Sequence, residues 1–113
     1  MIAEDLVSTL TSLVAGRIYP AVAPAAAVDP YMTYQLIAGV PQSDMAGASI
    51  LTNSRYQVDC YSAAKATVDA LAASVRTAMD GAALFKSVCV LQQDFFESEV
   101  QLHRVSMDFS IWH

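Results

Sequence analysis

Hydrophobic and polar residues alternate along the chain with two different periods, and the longer period predicts two helices. From Ile2 to Ala15 apolar residues recur every three to four positions, which predicts a helix that Gly16 ends. A second helix is predicted after Ser62, whose hydroxyl can cap it, and it runs to about Asp80. Its apolar stripe consists of Val68, Leu71, Ala72, Val75 and Met79.

The shorter period, two residues, predicts four strands at about 30–39, 50–61, 85–93 and 104–111. In the third of these the residues from Val88 to Leu91 are apolar on both faces, which predicts a central strand. The fourth alternates cleanly and indicates a half-buried antiparallel strand. Its predicted inward residues are Val105, Met107, Phe109 and Ile111.

Three segments carry the residues typical of connections. Arg17 to Pro30 contains three prolines and is interpreted as an extended connection, with a flexible linker as the alternative. Gly39 to Ser49, GVPQSDMAGAS, is interpreted as a long loop with Met45 as an exposed candidate anchor. Asp94 to Glu99, DFFESE, is predicted to be an acidic turn.

The predicted order of elements is α-β-β-α-β-β, and 113 residues fit one domain spanning 1–113. Strands that are close in sequence favour antiparallel neighbours. We therefore predict an α+β fold with an antiparallel four-stranded sheet and two helices packed on one face. A ferredoxin-like arrangement is the alternative.

Charge is scarce in this chain: charged residues make up 15% of it, against about 25% in typical globular proteins. So few charges favour a surface that is partly buried against other subunits. The formal net charge is −5, and the six Lys and Arg residues are scattered, so no basic face for nucleic acid is formed.

The sequence gives no sign of a signal peptide or a membrane segment. Glu4 and Asp5 stand where a secretory signal would carry basic residues, and prolines interrupt the longest alanine-rich stretch. A soluble cytoplasmic product without a membrane partner is expected.

The stretch RYQVDCYS, Arg55 to Ser62, combines a thiol, a carboxylate and a cation, so it is the first candidate for chemistry. On a strand, however, Cys60 points inward while Asp59 points outward with Arg55 and Gln57. A catalytic thiolate needs access and a neighbouring base. Cys60 is therefore predicted to be a buried core thiol, and the same is expected of Cys89.

Other chemistry is not predicted either. His103, His113 and Asp108 would have to converge from both faces of one strand to hold a metal. The acid pairs are interpreted as a helix start and a solvated turn, and the four glycines are isolated rather than grouped in a phosphate loop. We expect no enzyme, cofactor or metal, and favour an assembly module.

Several blocks of the chain together resemble a known family. RIYPAVAP, PYMTYQLIAG, RYQVDCYSA, the DG after the second helix and the ending LHRVSMDFSIWH are similar to the tail completion proteins of long-tailed bacteriophages and prophages. These are related to tail-to-head joining and tail terminator proteins. The turn DFFESEVQ departs from the family pattern, because it lacks the glycine expected there.

The resemblance implies a structural role in the virion, at the head-tail junction, after assembly in the host cytoplasm. Such proteins cap the tail tube as a ring, typically sixfold, and provide the surface onto which the head connector docks. The implied partners are therefore further copies of the chain, the tail tube protein and the head connector. A small ligand-binding or regulatory α+β domain without catalysis is the alternative.

The leading contact segments under this hypothesis are Gly39 to Ser49 and Pro20 to Pro30. The opposing interpretation is that both are only solvent-exposed connections. The predicted interface residues are Gln42, Ser43, Asp44, Met45, Arg55, Gln57 and Asp59.

Overall fold

The structure is a computed structural model that describes residues 2–24, 29–44, 47–82, 85–99 and 101–112, with side chains left out at 2, 39–44 and 47–52. Two helices and five strands are present in the described residues. They are α1 (Ile2–Leu10, continued by a 3₁₀ turn at Thr11–Val14), β1 (Ile18–Pro20), β2 (Tyr31–Asp44), β3 (Gly47–Ser62), α2 (Lys65–Asp80), β4 (Lys86–Glu97) and β5 (Leu102–Trp112).

The five strands form one mixed sheet in the order β1-β2-β3-β5-β4. β2 pairs with β3, β3 with β5, and β5 with β4, all antiparallel. β1 instead pairs in parallel with β2, from Ile18 opposite Met32 to Pro20 opposite Tyr34. The two edge strands of the sheet are therefore β1 and β4, and they differ in length: β1 has three residues and β4 has twelve.

One hydrophobic core lies between the helices and one face of the sheet. Leu6, Leu10 and Val14 enter it from the N-terminal helix and its 3₁₀ turn. The predicted stripe of α2 is buried in full, as are the four predicted inward residues of β5. The periodicity predicted these elements correctly because each has one apolar and one polar side.

The prediction of an antiparallel four-stranded sheet in the order α-β-β-α-β-β is wrong. The segment interpreted as an extended connection contains β1, which makes the sheet five-stranded and mixed. A strand of three residues ending in Pro20 gives no periodic signal, and its parallel pairing with β2 is set by the tertiary fold.

The prediction of a central third strand is also wrong, because β4 lies at the edge of the sheet. It is also longer than predicted: Asp94 to Glu97 of the expected acidic turn continue the ladder with β5. The reversal that follows places Gln101 at φ 55, so a glutamine adopts the left-handed conformation where the resemblance led us to expect a glycine.

The segment interpreted as a long loop is mostly a hairpin. Residues 39–44 belong to β2 and 47–49 to β3, with Asp44 opposite Gly47. β1 pairs with β2 only up to Tyr34, and β5 pairs with β3 only from Asn53 onward. Beyond both limits only β2 and β3 pair with each other, and this two-stranded part, residues 41–44 and 47–52, is called the arm below.

The two helices end with different backbone conformations. Gly81 follows α2 at φ −92, which any residue can adopt, whereas Ala15 and Gly16 after the 3₁₀ turn lie at φ 50 and φ 84. The prediction that Ser62 caps α2 is wrong, because Ala64 is the N-cap residue and no side chain caps the helix. Ser62 Oγ instead accepts a hydrogen bond from the Ala64 amide, 3.2 Å away, before α2 begins. Left-handed backbone is thus needed after the first helix but not after the second.

Candidate assembly surface

The predicted interface residues fall on two parts of the β2–β3 hairpin. Gln42, Ser43 and Asp44 lie in the β2 strand of the arm, next to its tip. Met45 lies outside the described residues. The other three occupy alternate positions of β3 on the sheet face opposite the helices, as the period of two predicts.

The helix-free face carries a polar cluster rather than freely solvated side chains. Gln57 donates through Nε2 to both carboxylate oxygens of Asp59, at 3.0 and 3.2 Å, and to Ser106 Oγ at 3.0 Å. Asp59 is only 9% exposed, while Arg55 on the same face is exposed. Of the three residues, Arg55 is therefore the one whose side chain is available to a partner.

Two tyrosines border this cluster. The rings of Tyr31 and Tyr61 stack across β2 and β3 with centroids 4.8 Å apart. Burial raises the pKa of Tyr61, and the nearby Asp59 carboxylate adds to that rise. Burial likewise raises the pKa of Tyr31. These hydroxyls stay neutral at physiological pH, so this part of the face offers hydrogen bonding and aromatic contact rather than additional charge.

The sheet edge at β4 carries a second surface that the sequence did not predict. Val88, Leu91 and Phe95 lie opposite Ser110, Asp108 and Arg104 of β5, which places all three on the helix-free face. Val88 is 54% exposed and Leu91 46%. Trp112 lies on the same face opposite Lys86, and it too is exposed.

A basic side chain organises one end of this stripe. The Arg104 guanidinium carbon lies 4.5 Å from the centre of the Phe95 ring. The same side chain donates through Nη1 to Glu97 Oε1 at 3.0 Å. This stacked and paired arrangement fixes Phe95 while leaving much of its ring uncovered.

An open groove of about 510 Å³ runs between α2 and the start of β4. Its walls include Ala73, Arg76, Thr77 and Asp80 from the helix and Ser87 and Cys89 from the strand. Ser87 donates to the Met79 carbonyl at 3.1 Å, and farther along the strand Lys65 bridges Asp69 and Asp94. The contacts hold β4 to the helix, so the groove has fixed walls next to the sheet edge.

The two cysteines differ in environment. Cys60 is buried, and burial raises the pKa of its thiol from 9.0 to about 12, so it carries no reactive thiolate at neutral pH. Cys89 is only half-buried, which corrects the expectation that both thiols are enclosed. In the described part of the chain, no three His, Cys, Asp or Glu side chains are placed to hold a metal ion.

His103 lies across from Phe96 at the end of β4, with ring centres 4.9 Å apart. The two rings are tilted by 56° to one another, and His103 is partly buried. Within the described residues, no helix is long and apolar enough to cross a membrane.

Comparison with known proteins gives one family and a set of similar structures. Residues 6–113 match the family described as tail completion protein gp17. Among solved structures 22 chains match, and one of them comes from the virion of a native gene transfer agent particle. It is 21% identical with a TM-score of 0.71, and the alignment covers 98% of this chain and 90% of that one. At this identity the similarity establishes a shared fold. No curated protein matches.

Proposed function

The chain belongs to the tail completion protein gp17 family, and we propose on that premise that it caps the phage tail tube as a sixfold ring and joins the tail to the head connector. Its role in tail assembly is structural. We further propose that residues 1–113 act as one tail-completion domain without catalysis. The observation that carries the proposal is the family match over nearly the whole chain.

The β4 edge supports the ring. A strand at a sheet edge presents unpaired backbone groups, and monomeric proteins protect such edges with charges, prolines or short length. β4 has exposed Val88, Leu91 and Phe95 instead. This is the surface expected of a subunit whose edge is covered by a neighbour.

The β2–β3 hairpin supports the docking role. We propose that Gln42, Ser43, Asp44, Met45 and Arg55 contact the tail tube, the head connector or a neighbouring copy. Gln57 and Asp59 support that contact by fixing the polar face beneath it, because Gln57 donates hydrogen bonds to Asp59 and to Ser106 Oγ. The remaining contact segment proposed is Pro20 to Pro30, of which residues 25–28 lie outside the described part.

The location follows from the same role. We propose that the protein resides in the virion at the head-tail junction and is assembled in the host cytoplasm. One similar chain of known structure comes from the virion of a gene transfer agent particle, which supports a place in a virion.

Disruption of the gene in its parent phage or inducible prophage tests this function. Lysates examined by negative-stain electron microscopy should contain full heads beside unattached tails, some of irregular length. Expression of the wild-type chain from a plasmid should restore joined particles. Joined particles in normal numbers without the chain would contradict the proposed function.

The groove between α2 and β4 is the feature that a small-molecule regulatory domain would use. That alternative predicts a rise in melting temperature with specific metabolites, whereas a joining protein should show none. A reproducible shift of several degrees with one ligand, together with normal particles after gene disruption, would favour the regulatory function.

A further inference from the structure

The outer edge of β4 is open to pairing with another strand. β4 has β5 on one side and, among the described residues, no strand on the other. Its central window, Val88 to Gln93, contains neither a charge nor a proline, two of the features that keep sheet edges from pairing. Opposite charges lie toward its two ends, with Lys86 at the start and Asp94 and Glu97 near the finish.

A bulge decides which side chains of this edge share a face. The pairing of β4 with β5 shifts by one residue between Cys89 and Leu91. The side chains on the helix-free face are therefore Lys86 and Val88 before the bulge and Leu91, Gln93, Phe95 and Glu97 after it. When positions are counted by their partners in β5, Gln92 falls midway between Lys86 and Glu97.

We propose that in the free protein the β4 edges of two copies pair antiparallel about a two-fold axis at Gln92. Each Lys86 then lies opposite Glu97 of the other copy, so unlike charges meet at both ends of the ladder. The two-fold axis brings the same surface of each copy into the contact, and main-chain hydrogen bonds across the axis satisfy both open edges.

Charge selects this register. Residues directly opposite one another in a sheet lie on the same face, so the two strands can be displaced only by two residues at a time. Moving the axis to Gln93 leaves Lys86 beyond the paired stretch, and moving it to Leu91 leaves Glu97 beyond it. Parallel pairing of the two edges would set Lys86 beside Lys86 and Glu97 beside Glu97, so like charges would meet at both ends.

The same register joins the exposed apolar side chains of the two copies. Val88 of one copy lies opposite Phe95 of the other, and Leu91 lies opposite Gln93. Val88 and Phe95 are both exposed in the single chain, so each covers apolar surface of the other. The Arg104 guanidinium that stacks on Phe95 holds this ring at the contact.

This dimer goes beyond the proposed function and controls when assembly begins. A two-fold contact closes at two copies, so it is not the contact that runs around a ring. It occupies the edge that the proposed ring also covers, so a copy enters the ring only after its dimer has dissociated. The free chain is thereby kept from assembling before a tail is present.

Sedimentation velocity with charge variants tests the dimer. The wild type should pass from monomer to dimer between about 1 and 500 µM, the range in which small interfaces dissociate. Lys86→Glu and Glu97→Lys each place like charges at both ends, so each should weaken dimerisation by about tenfold or more. An equimolar mixture of the two variants restores unlike charges at both ends and should dimerise like the wild type.

The mixture is the control for folding and for local effects. Glu97→Lys also removes the ion pair with Arg104, and the mixture keeps that loss. Recovery of the dimer in the mixture therefore reports the contact between copies rather than a change within one copy.

Cross-linking locates the axis. In a Cys89→Ser background, position 92 meets itself across the two-fold axis, whereas the two copies of position 88 lie about 20 Å apart along the ladder. A short bis-maleimide should therefore link Gln92→Cys protein into covalent dimers about tenfold more efficiently than Val88→Cys protein.

Three results would each overturn the inference: a wild type that stays monomeric at every concentration, no recovery in the mixture, or equal cross-linking at positions 88 and 92. Tail completion by the wild type alongside any of them would leave the proposed function intact. A dimer that passes all three tests in a protein that fails to complete tails would support this inference and remove the proposed function.

Discussion

At the scale of single residues, Phe109 shows how the core depends on the inward positions of β5. It is 2% exposed and is the largest of the fully buried side chains described. Phe109→Ala should lower the free energy of unfolding by about 3 to 5 kcal/mol, because it removes buried apolar area and leaves a cavity. Phe96→Ala, at a ring that is 50% exposed, is the control and should cost less than about 1 kcal/mol. If urea denaturation showed the same loss of unfolding free energy for Phe109→Ala and Phe96→Ala, this assignment of the core would be contradicted.

Cys60 gives the core a dependence on alkaline pH. Its thiol has a pKa near 9.0 in the unfolded chain and about 12 when folded, so above pH 9 the unfolded chain loses a proton that the folded protein keeps. The contribution of this thiol to the free energy of unfolding is therefore fully present below pH 9. It decreases by about 1.4 kcal/mol per pH unit as the pH rises from 9 toward 12.

Cys60→Val isolates that contribution, because Tyr31, Tyr56 and Tyr61, whose pKa values are also raised, remain in both proteins. Unfolding free energies at pH 8 and pH 10 should fall more steeply for the wild type than for the variant. Identical pH dependence would mean that the Cys60 thiol is solvated, and rapid native-state alkylation by iodoacetamide would show the same.

At the scale of elements, the end of the first helix depends on left-handed backbone. Gly16 lies at φ 84, and a Cβ there would approach Thr11 Oγ1 only to 4.0 Å, so the cost of a side chain comes from the backbone rather than from a clash. Gly16→Ala should destabilise the protein by about 1 kcal/mol or more. Gly81→Ala, at φ −92, should be neutral or slightly stabilising in thermal denaturation. A neutral Gly16→Ala would contradict the chain reversal described here.

β4 shows why the sequence predicted some elements and misplaced others. α2 and β5 each bury one side within the chain, so their periodicity identified the buried residues correctly. β4 is apolar on both faces, and that pattern predicts that both faces are buried. It does not distinguish burial within the same chain from burial against another subunit. The scarcity of charge was the one available hint of the second possibility.

The arm and the candidate surface were harder to predict for a different reason. Gly39, Pro41 and Gly47 are residues typical of turns, yet they lie in a hairpin whose pairing is set by β2 and β3 as a whole. The two-residue period of β3 predicted correctly that Arg55, Gln57 and Asp59 lie on the same outward face of the sheet. The burial of Asp59 did not, because it depends on hydrogen bonds to Gln57 within the folded sheet.

The exposed stripe of β4 makes its own prediction. Leu91→Lys places a charge in the uncharged window of the edge, so it should block addition of a neighbouring strand while changing the unfolding free energy by less than about 0.5 kcal/mol. Ala70→Lys on the exposed side of α2 adds the same charge elsewhere and serves as the control. Both proteins should fold equally well in circular dichroism, and only Leu91→Lys should fail to complete tails. Equal complementation would exclude the β4 edge from the interface.

At the scale of the whole molecule, the sheet has a protected edge at β1, an open edge at β4 and an arm that extends beyond the paired body. The longest dimension is 52 Å against 24 and 22 Å for the others, which reflects the length of the β2–β3 hairpin. A small acidic domain with one open edge and one protruding ribbon is suited to joining copies side by side. Ordering the arm on docking costs conformational entropy, and contacts with the tail would offset that cost, so we expect assembly to depend on the tail as a template.

Joining of heads and tails in vitro tests the role in tail completion most directly. Heads and tails from a lysate lacking the chain are incubated with purified wild-type protein, and infectious particles are counted before and after. We expect a rise in titre of at least a hundredfold with the wild type and with Ala70→Lys, and little or none with Leu91→Lys. No rise with the wild type, while the same preparation of heads and tails joins on addition of a complete lysate, would contradict a role in tail completion.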